Sequence, residues 1–202
     1  MLIVPGYGVR VSSQRNSRNR IRSIAVFASV IGAVIIAALL LSNALPQSVR
    51  EDVLGAPVVV PVEYSDVIRE AAQRCPSVPV DVFAAQLHAE SSWDPQAQSP
   101  AGAQGIAQFM PATWDQYGFD ADGDGSADVW NPIDAIHSAA ALNCVNRKLI
   151  ASVNGRKLPN TLAAYNAGYG AVRKYDGIPP FPETENYVAK ILNNAKTLQW
   201  PN

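Results

Sequence analysis

Apolar residues along this chain follow two patterns. From Ile24 to Leu41 every residue is apolar or small and none is charged, a run of 18. That is close to the roughly 20 residues a helix needs to span the hydrocarbon core of a bilayer. From Tyr64 onward the apolar residues are spaced at three and four, the period of helices with one buried face. Ile68, Ala71, Ala72 and Cys75 make one such face, with Ser65 as the expected N-cap and Pro76 and Pro79 as the break. Val80, Phe83, Ala84 and Leu87 make a second, in a helix over Val80–Ser91. Pro111 at a first helical position predicts a short helix through Tyr117. Asn131-Pro132 reads as cap and first residue of the longest helix, over 132–150, with Ile133, Ile136, Ala140 and Cys144 as its buried stripe. Shorter helical stretches follow at Thr161–Asn166 and Val172–Tyr175. A last helix runs from about Glu183 to Leu198, buried through Tyr187, Ile191, Ala195 and Leu198. No period-two run of strand length occurs, and no internal repeat. The fold class is mainly α.

Charge gives the long apolar run its meaning. Residues 1–50 hold six arginines and no acid. Arginines before the run, with none immediately after it, place the N-terminus in the cytoplasm and the remainder outside. A cleaved signal peptide is the alternative, with Ser42-Asn43-Ala44 as a small-residue site, but the run exceeds the usual apolar core of such peptides. The expected organisation is a basic cytoplasmic segment over 1–22, a single N-terminal transmembrane helix over 23–42 and a Pro-punctuated linker over 43–63. A helical domain follows over 64–202. The domain is expected outside the cytoplasm, on the cell membrane, or secreted if the segment is cleaved. Beyond residue 50, ten Lys and Arg face seventeen Asp and Glu. A body this acidic is not a nucleic-acid binder, which would show a basic face. Cys75 and Cys144 both sit on predicted core faces. In an oxidising compartment a disulfide between them is the economical expectation, and two buried thiols are the alternative.

The chemistry centres on His88-Ala-Glu-Ser-Ser-Trp-Asp-Pro95. Glu90 lies three residues after Leu87 and seven after Phe83, at the edge of the apolar face. Desolvation there favours the neutral carboxyl, the condition for a general acid near neutral pH. A helix-end Glu paired with a nearby Arg or Lys fits this stretch alone equally well. Asp94, just before Pro95, reads as a turn residue rather than a second acid. His88 and His137 are the only histidines, and no triad or zinc arrangement can be built from them.

Four segments occur in order: Glu90-Ser-Ser-Trp-Asp-Pro95, Ser99-Pro-Ala-Gly-Ala-Gln-Gly-Ile-Ala-Gln-Phe-Met-Pro111, Ala164-Tyr-Asn-Ala-Gly168 and Glu183-Thr-Glu-Asn-Tyr-Val188. Together they resemble the catalytic domain of the soluble lytic transglycosylases, over roughly 64–200. The resemblance implies a lysozyme-like helical fold acting on peptidoglycan glycan strands, with Glu90 as the sole acid/base. Glu90 would protonate the glycosidic oxygen between MurNAc and GlcNAc as an oxocarbenium-like centre forms. It would then take the proton of the sugar's own 6-hydroxyl, leaving a 1,6-anhydromuramic end. The resemblance also implies that Ser99, Gln108 and Met110 line the glycan groove and that Tyr165 hydrogen-bonds near the acid. Asn166 and Glu183 would hold the substrate or the site, with Tyr187 packed beneath it. Two departures stand out: Ser92 where the family often has Gly, and Ile106-Ala107 in place of a frequent Leu-Met. A hydrolytic muramidase on the same fold and a non-catalytic peptidoglycan-binding scaffold are the competing readings.

A second signal is the acidic loop. Asp120, Asp122 and Asp124, followed by Gly125 and Ser126, match the first half of an EF-hand calcium loop. The twelfth position is Asn131 and not the usual Glu. The membrane-bound lytic transglycosylase B branch closes a variant loop with an Asp fourteen residues after the first ligand, which here is Asp134. The expected structural cofactor is calcium, with no organic cofactor. The alternative is an Asp-Gly-rich surface turn, with Asp134 capping a helix.

Overall fold

The computed structural model of the chain describes residues 57–201. The expected cytoplasmic segment over 1–22, the membrane span over 23–42 and most of the linker lie outside them. Among the described residues no helix is long and apolar enough to cross a membrane.

Seven helices make up the described part: α1 (Val62–Ala72), α2 (Val80–Ser91), α3 (Pro111–Tyr117), α4 (Pro132–Leu149), α5 (Lys157–Ala167), α6 (Tyr169–Lys174) and α7 (Pro182–Asn194). Strand structure among these residues is limited to isolated bridges. Proline opens α3, α4 and α7, where a first-turn N–H has no helical partner to lose. Asn131 caps α4 as expected, its side-chain oxygen accepting from Ile133 N.

α2, which carries Glu90, is buried through its middle. Six consecutive residues, Val82 to Leu87, are buried, so the helix is covered on every side and not on one stripe. It packs against α1 and α7, while α4 packs against α1, α3 and α5, and α5 also meets α6 and α7. The core gathers Phe83, Leu87, Ile106, Phe109, Ile136, Leu162 and Ile191, each exposed by 1% or less. Phe109 holds the edge of the Trp114 ring at 5.2 Å and of the Tyr165 ring at 6.2 Å.

Several sequence expectations shift. The linker ends earlier than residue 63. Val58 and Val60 are buried, and a bridge pairs Val59 with Gln199 in parallel, through Val60 N to Gln199 O and Gln199 N to Val58 O. Ser65 is no cap, because α1 already starts at Val62 and the Ser65 hydroxyl donates back to the Val62 carbonyl. Ile133 stands 38% exposed at the start of α4, outside the buried stripe. The last helix stops at Asn194, and Trp200 beyond it folds back, donating from Nε1 to Asp81 at 2.8 Å beneath the Arg69 guanidinium. Cys75 and Cys144 form a disulfide, with Cα atoms 5.3 Å apart, that ties the end of α1 to α4.

Candidate active site

Glu90 emerges from the last turn of α2 and keeps partial exposure while the middle of its helix is buried. Burial pushes its carboxyl from the ordinary 4.5 up to about 7, against the hydroxyl of Tyr187 and the charge of Lys190, which both pull it down. Tyr187, on α7, donates to Glu90 Oε1 at 2.5 Å. Its own hydroxyl is held well above the usual phenol range, first by burial and then by the charge of Glu90. Tyr187 is thus the direct partner of the acid, not packing beneath it. Tyr165 on α5 also lies in the field of Glu90, which adds to burial in raising its hydroxyl. It donates elsewhere, to Ala107 O at 2.9 Å.

That bond is one of two side-chain hydrogen bonds that fasten the loop between α2 and α3 to the helices. Ser91, next to the acid, donates from its hydroxyl to Ile106 O at 2.8 Å. Inside the loop, Ser99 Oγ accepts from Ala103 N at 3.0 Å. Gln108 donates from Nε2 to the carbonyls of Ala97 and Gly105, each at 3.0 Å. Both amide protons of Gln108 are therefore spent on the backbone, and its Oε1 remains as an acceptor. Gly105 stands at φ 75°, and a Cβ there would collide with the Val129 carbonyl, so only glycine fits. Met110, just before α3, is 43% exposed.

Backbone strain gathers in these segments. Ser92, Trp93 and Gln108 hold φ of 55°, 74° and 51°, the left-handed region that L-residues seldom occupy. Ser92 is the left-handed cap of α2. That conformation explains why glycine suits its position.

Asn166 closes α5 toward α7, where its Oδ1 accepts from Thr184 Oγ1 at 2.7 Å. Thr184 is 2% exposed, a buried member of the site that sequence reading missed. Glu183 is exposed in the first turn of α7. Asp94 accepts from Gln96 N at 2.8 Å, the turn role expected of it. His88 stacks near Trp93 at 5.6 Å, and burial followed by Lys190 lowers its pKa. His137, 3% exposed, accepts from Arg74 Nε at 2.8 Å and belongs to the core.

The acidic loop is built around Asp134, a residue with no exposure. Its Oδ1 accepts from Ala121 N at 2.7 Å and its Oδ2 from Asp128 N at 3.0 Å. Asp120, Asp122 and Asp134 each bring a carboxylate oxygen within 4.8 Å of the others. Asp124 stands outside that group and caps Ser126 N at 2.8 Å. Asn131 donates to Asp122 Oδ2 at 2.7 Å, and this bond leads in holding the Asp122 carboxyl below its usual range.

The transglycosylase SLT domain model matches residues 66–188, more than half of the chain. The chain belongs to the transglycosylase SLT domain family. It is 52% identical over 40 residues to the membrane-bound lytic murein transglycosylase B of Escherichia coli (strain K12), a match covering 20% of this chain and 11% of that one. It is 35% identical over 91 residues to the membrane-bound lytic murein transglycosylase F of Yersinia pestis (strain Pestoides F), covering 44% and 17%. The fold is that of the 70 kDa soluble lytic transglycosylase of Escherichia coli, with a TM-score of 0.51, 24% identity and coverage of 67% of this chain and 24% of that one. The matches thus span under a fifth of the curated relatives and about a quarter of the solved structure. All four segments that carry the resemblance, at Glu90, Ser99–Pro111, Ala164–Gly168 and Glu183–Val188, lie within the SLT match.

Proposed function

We propose that this SLT domain is a peptidoglycan lytic transglycosylase that cleaves the β-1,4 bond between MurNAc and GlcNAc with Glu90 as single acid/base. The observation that carries this reading is one carboxyl, raised by burial to about 7 and bonded to Tyr187. At neutral pH such a group divides nearly equally between its two forms. It can give a proton to the leaving oxygen and then take one from an attacking hydroxyl. Asp94, the acid nearest Glu90 in the sequence, is engaged in a turn at Gln96 N, so intramolecular attack by the 6-hydroxyl is our reading of the second half of the reaction. The product is a 1,6-anhydromuramic end. Gln108 Oε1, the exposed Met110, Ser99, Asn166 and Glu183 are the residues to which we assign glycan contact, with Tyr165 bracing the loop beside the acid.

Mass spectrometry of murein digested by the protein, with Glu90→Gln alongside, tests this directly. Anhydromuramic ends that vanish in the variant are expected. Reducing ends would instead mean a hydrolytic muramidase, and wall binding with no products a scaffold.

Calcium in the acidic loop is part of the same proposal. Asp134 is buried, and Asp120, Asp122 and Asp134 converge closely enough for oxygen ligands to share one hard cation. Asp124 would join through a side-chain turn and Ser126 through its backbone carbonyl. A bound ion would offset part of the loop's negative charge and fix it against α4. Titration calorimetry with no heat at millimolar calcium would remove the ion from this account. We also propose that residues 23–42 anchor the protein in the cell membrane, with the domain on the murein side. Membrane fractionation of the full-length protein tests that placement.

A further inference from the structure

The exposed aromatic side chains among the described residues are Tyr169, Tyr175 and Phe181, at 41%, 43% and 39%. All three lie in one stretch around α6. Tyr175 caps the end of α6 and Phe181 caps the start of α7, so the two rings stand on either side of the turn over 176–180. They meet nearly at right angles, at 5.6 Å. The Lys174 ammonium stands 5.4 Å from the centre of the Tyr175 ring. The turn between the rings is stiff. Gly177 N donates to Val172 O at 3.1 Å and Phe181 N to Pro179 O at 2.7 Å, and Pro179 is buried. Asp176, at φ 53°, is held by its carboxylate, which accepts from Asn154 N at 2.9 Å and from Asn154 Nδ2. The rings are therefore presented to solvent on a fixed frame, which lowers the ordering cost of binding to them.

This pair adjoins residues to which glycan contact is assigned above. Phe181 stands two residues before Glu183 and one turn before Thr184, whose hydroxyl joins α7 to Asn166. Tyr169 follows Asn166 by three, at the start of α6. By helix rise, Phe181 lies about 9 Å along α7 from Tyr187, the partner of Glu90. We propose that Tyr175 and Phe181 form an aromatic subsite for an N-acetylaminosugar ring of the glycan strand, away from the bond being cut. This rests on the glycan reading above. A pyranose has a face of C–H groups and a rim of hydroxyls. An aromatic ring covers that face, and the Lys174 ammonium, with three donors, serves the rim. Charge favours a neutral sugar here over an acidic stem peptide. Arg173 and Lys174 are offset by Asp176, Glu183 and Glu185, all of them exposed.

The test is calorimetry of the full-length Glu90→Gln protein with chitohexaose, a β-1,4 oligomer of GlcNAc that carries no stem peptide. Adding Tyr175→Ser or Phe181→Ser should weaken binding roughly three- to tenfold, the worth of one aromatic contact. Tyr175→Phe and Phe181→Tyr should bind as the parent does. The ring protons of Tyr175 and Phe181 should also shift when the oligomer is added, a readout that needs no further variant to fold. Unmoved ring protons, or unchanged affinity in a folded serine variant, would overturn the proposal. So would a loss that the ring-retaining variants share, since packing and not stacking would then be at work. A loss seen only with stem-bearing murein fragments would make the stem peptide the occupant and overturn it too. Oligomer binding at the rings with murein left uncut by the unsubstituted protein would sink the proposed activity and leave the subsite. Cleavage with no effect at the rings would do the reverse.

Discussion

Glu90→Gln should leave the domain inactive and more stable, and more stable only on the alkaline side. The folded protein holds the Glu90 proton up to about 7, whereas an unperturbed carboxyl releases it near 4.5. Between those values the folded form binds more protons than the unfolded chain. The contribution of this group is therefore fully present below 4.5, falls as pH rises and is lost above 7. At about 1.4 kcal/mol per pH unit, the gap amounts to roughly 3 kcal/mol. Glutamine matches the shape, carries no charge to desolvate and still offers Oε1 to Tyr187. The variant should equal its parent near pH 4.5 and exceed it by roughly 3 kcal/mol at pH 8, or about 6–12 °C in Tm for a domain of this size. Urea denaturation followed by tryptophan fluorescence at pH 4.5, 6 and 8, at constant ionic strength, measures the difference. A gain of the same size at every pH would refute the reasoning, since it would come from packing and not from the buried charge.

Further outcomes follow from single contacts. Tyr187→Phe removes a hydroxyl that pulls Glu90 down, so the alkaline limb of the rate profile, where the acid loses its proton, should move from about 7 upward by roughly one pH unit. A limb that stays in place would show that Glu90 does not set it. Ser92→Gly relieves a left-handed cap at φ 55° and should stabilise the domain by about 1 kcal/mol, read as a shift in the urea midpoint without loss of activity. Reducing the Cys75–Cys144 bridge opens a loop of 69 residues and should cost about 4 kcal/mol by chain entropy, visible as a Tm lowered by roughly 10 °C with dithiothreitol.

What the sequence reveals about the fold depends on how local each cause is. The limits of α2 and α3, the Asn131 cap and the cysteine pairing could be read directly, because proline breaks, a side-chain cap and two core-facing thiols act within a turn or two. The pairing of Val58–Val60 with Gln199 could not, since a lone bridge between chain ends has no local period. The burial of Gln86, 1% exposed, was invisible for a different reason. A polar residue between apolar neighbours reads as the solvent face of a helix, and α2 has no such face. The four motif segments carried Glu90, but not Tyr187 as its hydrogen-bond partner, because a phenol on a predicted buried face reads as packing. Thr184 escaped for the same reason, as a small polar residue beside the conspicuous Glu183.

The placement of Glu90 at the end of a helix with a buried middle gives the site its character. A carboxyl on an exposed helix would titrate near 4.5 and hold no proton to give at neutral pH. One buried without partners would rise so far that it could not return to the charged form. Here burial raises the Glu90 proton, and one hydroxyl and one ammonium group from α7 hold it back. The helix that covers the acid also supplies its restraint. Any change in how α7 packs on α2 alters both influences together. The packing of these two helices, with Thr184 and Asn166 joining α7 to α5, is therefore the mechanical variable that sets where the acid titrates.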